Sequence, residues 1–182
     1  MKLPDAITPV SRKTPLLLAP SVPGERVEQV TTSRGARVRF LLSTPKAPIA
    51  IVLLFPGDTG NMRLSMDGNM TWGEKNFLVR TRHLFLEQGF IVAVVDAPSD
   101  RNSDDGLYGF RATSDHAGDI ASIVQRLRML ADVPAWLVGT SRGTESAACG
   151  AAYTSAKTIN GIVLTSSVTR VAEDSLKRPG CI

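Results

Sequence analysis

Short runs of uninterrupted apolar residues constrain how this chain can fold. Ile49–Phe55, Phe90–Val95 and Ala135–Val138 do not alternate with polar residues, and Ile162–Thr165 reads in the same way. A strand with one wet face alternates with a period of two, so a continuous apolar run belongs to a strand covered on both faces. Turn residues close the first two runs, Pro56-Gly57 and Asp96-Ala97-Pro98. Between the runs lie stretches patterned for helices. Lys75–Gln88 places Phe77, Leu78, Phe85 and Leu86 loosely on one face, with Gly89 as a C-terminal cap. From an N-cap at Ser114, residues Ile120, Ile123, Val124, Leu127 and Leu130 fall on one helical face. Ser146–Ala152 is a run of small residues suited to a closely packed helix. Val27–Phe40 reads as a hairpin turning at Ser33-Arg34-Gly35, with Leu41 and Leu42 extending its second strand. Strands alternating with helices predict an α/β fold, a mostly parallel sheet with helices on both faces.

Composition narrows the class further. The chain has 182 residues, 43% hydrophobic and 21% charged, which suits one folded domain rather than a disordered or low-complexity chain. No apolar stretch approaches the roughly 18 residues that a membrane-spanning helix needs. Two cysteines, Cys149 and Cys181, do not make a disulfide framework or a zinc motif, and neither a metal nor an organic cofactor is expected. Cys149 reads as a small buried hydrophobe. The net charge of +4 is spread out, with small knots at Arg80-Thr81-Arg82 and Arg126-Leu127-Arg128, so no nucleic-acid partner is expected. The prolines around Pro15-Leu-Leu-Leu-Ala-Pro20 break what would otherwise be an export signal. We expect a Pro-rich arm over residues 1–26, a domain over 27–182 and a cytoplasmic location.

The chemistry is carried by Gly139-Thr140-Ser141-Arg142-Gly143, a G-x-S-x-G pattern that follows a buried strand and opens a helix. In that setting the serine sits on a sharp turn with its hydroxyl raised above the sheet. The flanking glycines remove side chains that would strike the neighbouring strand and helix. Acyl transfer also needs two N–H donors aimed at the developing oxyanion. One is the N–H of Arg142, directly after the serine. The other is expected from Pro56-Gly57-Asp58-Thr59-Gly60, with Asp58 the first choice and Thr59 the alternative. Met62, Met66, Met70 and Trp72 follow in the same loop and suit either an acyl pocket or packing.

The hairpin, the Pro-Gly-Asp-Thr-Gly loop, the Val95-Asp96 strand end, the Gly-Thr-Ser-Arg-Gly elbow and the strand at 162–165 together resemble the α/β-hydrolase family over about residues 27–168. The resemblance implies a serine nucleophile, an acid after a later strand and a histidine after the last. It points to a serine hydrolase, esterase-like, acting on an ester, thioester or amide bond of a small acyl substrate. The departure from the family is at the C-terminal end. No histidine follows Ser141, and the last strand–helix units of the family are missing; the two histidines, His83 and His116, both come earlier. A serine without a base is a weak nucleophile, so the expectation is low activity unless a base is supplied from elsewhere. His116 is a lateral candidate for a substitute base. Glu173 and Asp174 stand where some relatives carry the acid. Asp96 is expected to bind the neighbouring loop. The alternative is a truncated or pseudo-enzyme chain with a binding or assembly role, self-associating through an open sheet edge at 162–165.

Overall fold

The computed structural model describes residues 22–155 and 158–169. Six strands and three helices follow one another as β1 (Arg26–Thr31), β2 (Arg37–Ser43), β3 (Ala50–Phe55), α1 (Phe77–Glu87), β4 (Phe90–Val95), α2 (Ser114–Arg128), β5 (Ala135–Thr140), α3 (Gly143–Tyr153) and β6 (Gly161–Thr165). The strands form one sheet in the order β1-β2-β4-β3-β5-β6. β1 pairs antiparallel with β2, and β2 with β4. The pairs β3–β4, β3–β5 and β5–β6 are parallel. The mostly parallel, helix-covered sheet expected from the apolar runs is therefore present.

The hairpin closes where expected, with the Thr32 N–H donating to the Ala36 carbonyl at 2.8 Å and Gly35 in the left-handed region at φ 83°. Every residue of β3 is buried. Its side chains divide strictly by parity. Ile51, Leu53 and Phe55 pack with Ile120, Ile123, Val124 and Leu127 of α2 and Ala147 of α3. Val52 and Leu54 pack on the other face with Leu78 and Val79 of α1. A continuous apolar run is the required pattern, because each face is closed by a helix layer.

Several details differ from the sequence expectation. The N-cap of α2 is Thr113, whose hydroxyl accepts the His116 N–H at 3.2 Å, so Ser114 is the first helical residue. α1 is shorter than 75–88 and is capped by Asn76, which accepts the Leu78 N–H at 3.1 Å. Its buried stripe is Leu78, Val79 and Arg82, while Phe77 faces out. Arg82 replaces an apolar residue there because Glu25 meets it, Nε to Oε2 at 2.6 Å and Nη2 to Oε1 at 2.7 Å. α3 begins at Gly143 rather than Ser146. Most of the Pro-rich arm, together with Glu173, Asp174 and Cys181, lies outside the described residues; of the arm's end, Val22 is buried. Cys149 is buried on α3.

β6 pairs only with β5 among the described residues. Ile162, Val163 and Leu164 are 39%, 42% and 41% exposed, so side chains on both faces of this strand are partly open although α3 lies against it. No helix among the described residues is long and apolar enough to cross a membrane.

Candidate active site

The register of the sheet builds the site. Phe55 of β3 lies opposite Gly139 of β5, so the chain leaving each strand two residues later brings Gly57 beside Ser141. In an open parallel sheet, ligands bind beyond the C-terminal strand ends, at the crevice between neighbouring strands. Ser141 sits there, exposed, with φ 51°. A non-glycine residue in the left-handed region is uncommon and costs on the order of 1 kcal/mol or more. The surrounding bonds hold it. The Ser141 N–H donates to the Thr165 carbonyl at 3.0 Å, tying the turn to the end of β6. The Ser141 carbonyl accepts the Thr144 N–H at 3.0 Å and the Thr144 hydroxyl at 2.6 Å.

The elbow's glycines are required by close approach. A Cβ on Gly143 would overlap the Phe55 carbonyl oxygen, and one on Gly139 would overlap the Gly143 backbone and stand 2.7 Å from the Thr144 Cα. A Cβ on Gly57 would stand 2.9 Å from the Ser141 Cβ. Three backbones thus meet where any side chain would force them apart.

Asp58 follows Gly57 in the loop that approaches Ser141, and Arg142 follows Ser141 in the chain. Asp58 is exposed and also left-handed, at φ 51°. Among the described residues, neither the Asp58 N–H nor the Arg142 N–H has an acceptor. Thr59 shares that property, so the backbone keeps both loop donors in play. The Arg142 guanidinium rests over the Tyr108 ring at 4.8 Å. A cavity of about 310 Å³ opens directly from this loop, lined by Asp58, Thr59, Asn61, Thr71, Trp72 and Ser103 among others. Trp72 therefore borders the site. Met62 is core, Met70 and Trp72 pack partly against the same cluster, and Met66 is exposed, so the methionines mainly pack.

Asp96 binds the neighbouring loop, as expected. Its carboxylate accepts the N–H groups of Met62 at 2.6 Å, Leu64 at 2.7 Å and Ala97 at 2.8 Å. Burial nevertheless pushes this carboxyl above its ordinary value.

His116 does not stand in as the base. Its ring is buried, 2% exposed, and its Nε2 lies 2.9 Å from the hydroxyl of Ser146 rather than Ser141. The Phe55 and Phe110 rings meet it edge-on at 6.4 Å and 5.5 Å. Burial, reinforced by the charges of Arg111 and Arg34, holds it down to about 3, so it is neutral and a very weak proton acceptor. His83 lies on α1 and makes no hydrogen bond to Ser141, whose hydroxyl has no hydrogen-bond partner among the described residues.

Sequence reasoning missed Arg111. It is 2% exposed, and its guanidinium donates to the Ser146 hydroxyl at 2.7 Å, the Pro56 carbonyl at 2.9 Å and the Asp58 carbonyl at 3.2 Å. Burial lowers it from its usual value to about 10, which leaves it charged at neutral pH. Nothing in its local sequence marks it as buried. Among the described residues, no group of three His, Cys, Asp or Glu side chains comes together to hold a metal ion.

No family model matches the chain, and no curated protein sequence matches it. Solved structures do. DcsB, solved with its substrate analogue, superposes with a TM-score of 0.61 at 20% identity, over 79% of this chain and 46% of its own. An α/β serine hydrolase without a lid from Xanthomonas campestris gives 0.57 at 15% identity, over 88% of this chain and 70% of its own. Dienelactone hydrolase from Anabaena variabilis gives 0.58 at 16% identity, over 77% and 62%. The chain spans from under half to about two thirds of the length of such structures. With the sheet order and the elbow already established, these likenesses place the chain in the α/β-hydrolase fold.

Proposed function

We propose that this chain carries the nucleophile and oxyanion hole of a serine hydrolase acting on ester, thioester or amide bonds. The observation that carries the reading is Ser141 itself, an exposed serine held at φ 51° between a parallel strand and a helix, beside an N–H-bearing loop. In the proposed reaction the Ser141 hydroxyl oxygen attacks the acyl carbonyl carbon. Its proton passes to a base: a carboxylate of this chain outside the described residues, or an imidazole supplied by another chain or segment, since His83 and His116 do not reach it. The carbonyl electron pair moves to the oxygen, where the N–H groups of Arg142 and Asp58 receive it. Collapse breaks the bond to the alcohol, thiol or amine, which leaves with a proton, and water then releases the acid from Ser141 by the same route. The cavity beside Asp58, polar in its lining apart from Trp72, is where we place a small polar acyl group. The test is incubation with an activated acyl ester, following both release of the leaving alcohol and acylation of the protein. An acyl adduct on the wild type that is lost in Ser141→Ala supports the reading; equal behaviour of the two proteins refutes it.

A second reading rests on β6. Its exposed Ile162, Val163 and Leu164, with Trp136 beside them on β5, form an open apolar strand of the type that pairs with other chains. On that reading the chain works by binding or assembly. Concentration-dependent association that Val163→Lys abolishes would favour it, and a monomer at all concentrations would exclude it.

A further inference from the structure

The loop that offers the Asp58 N–H is held from behind by a single buried cation. Arg111 reaches from the turn before α2 to three acceptors. Two are on the loop, the carbonyls of Pro56 and Asp58, and one is on the helix after the nucleophile, the hydroxyl of Ser146. The two carbonyls belong to the peptide units on either side of the Gly57–Asp58 peptide, the one that carries the Asp58 N–H. Fixing both neighbours fixes the plane between them. The approach is close enough that a Cβ on Gly60 would overlap Arg111 Nη2 and stand 3.0 Å from its Cζ. Asp58 keeps its left-handed backbone in this bracket.

We propose that Arg111 is the positioning residue of the oxyanion hole, holding the Asp58 N–H in register with Ser141 by clamping the Pro56–Asp58 loop to α3. The proposal rests on the serine-hydrolase reading above.

The chemistry of the site supports a role beyond packing. No carboxylate hydrogen-bonds this guanidinium among the described residues; its hydrogen-bond partners there are a hydroxyl and two carbonyls, and its Nε has none. A buried cation hydrogen-bonded only to neutral oxygens, with the charges of Glu145 and Asp58 offsetting part of its burial, is costly for a fold to keep. Its positive charge behind the loop favours negative charge developing on the substrate side. Loss of a positioned oxyanion donor elsewhere costs roughly 100- to 1000-fold in rate, and a donor that is displaced rather than deleted costs less.

The experiment follows the rate at which a fluorophosphonate labels Ser141. The serine oxygen bonds to phosphorus, the P–F bond breaks, fluoride leaves and the serine proton passes to the base or solvent. Varying probe concentration separates the limiting rate from probe affinity. Wild type, Arg111→Lys, Arg111→Met and Ser146→Ala are compared, with circular dichroism and urea unfolding of each. We expect Arg111→Met to lower the limiting rate about 10- to 100-fold with probe affinity nearly unchanged, and Arg111→Lys to recover part of it. Ser146→Ala, which removes the helix-side anchor together with the hydroxyl that meets His116, is expected to lower it several-fold while staying folded, with urea unfolding reporting the His116 contribution separately. Should Arg111→Met not fold, Arg111→Lys and Ser146→Ala decide the matter. Folded variants labelled at the wild-type limiting rate overturn the positioning role, as does a loss confined to probe affinity. A wild type that takes no label overturns the serine-hydrolase reading itself and this inference with it, which separates the two failures.

Discussion

Acid should unfold this protein through one residue more than any other we can name, His116. In the folded chain its imidazole is buried against Phe55 and Phe110, faces the charge of Arg111 and is held down to about 3. Unfolded, it returns to the ordinary value of about 6.5. The folded value is the lower one, so below about pH 6.5 the unfolded chain binds a proton that the folded chain refuses. Stability is therefore lost as pH falls from about 6.5 towards 3, and little of this contribution changes above pH 7. Each pH unit in that window corresponds to about 1.4 kcal/mol. Between about pH 7 and pH 4.5 the loss from this residue alone comes to about 2.5 kcal/mol. The perturbation is His116→Gln, which keeps an amide near Ser146 and does not titrate. Urea unfolding of wild type and variant at both pH values isolates the term, because the carboxylates are common to both proteins. The expected result is a variant less stable at neutral pH but with a shallower acid dependence by about that amount. Parallel pH profiles would refute the assignment of His116 as a buried neutral imidazole.

Other perturbations follow from the same geometry. Gly143→Ala drives a methyl group into the Phe55 carbonyl, and we expect a loss of about 3 kcal/mol or failure to fold, read by urea or thermal unfolding. Asp96→Asn turns an acceptor of three backbone N–H groups into a group with one oxygen and a competing donor; a loss of about 2 kcal/mol is expected in the same assay. Arg26→Ala should change stability by less than about 0.5 kcal/mol, since its exposed pairing with Glu28 is the kind that contributes little.

The strands were legible because burial on both faces leaves no room for polar residues. β3 and β4 are uninterrupted apolar runs for that reason, and Pro56-Gly57 marks where β3 must end. The elbow was legible because close approach admits only glycine at 139 and 143. Cap positions were less so: Thr113 and Ser114 are chemically near-equivalent, and only the backbone decides which hydroxyl meets the His116 N–H. The buried polar cluster was not legible at all. Arg111 finds its acceptors 35, 53 and 55 residues away, and His116 finds Ser146 at a separation of 30. No local pattern distinguishes such residues from solvated ones. The Arg82–Glu25 pair escaped notice for the same reason, a charged residue on a helix face reading as exposed until its partner is seen.

The central proposal is that Ser141, at a strand–helix elbow, is the nucleophile. Intact-mass and peptide-mapping measurements after exposure to a fluorophosphonate test it most directly. The account predicts a single phosphonyl adduct on the peptide containing Ser141, absent from Ser141→Ala. A wild type that stays unlabelled under conditions where it is folded, or a label that persists in the Ser141→Ala protein, would contradict it.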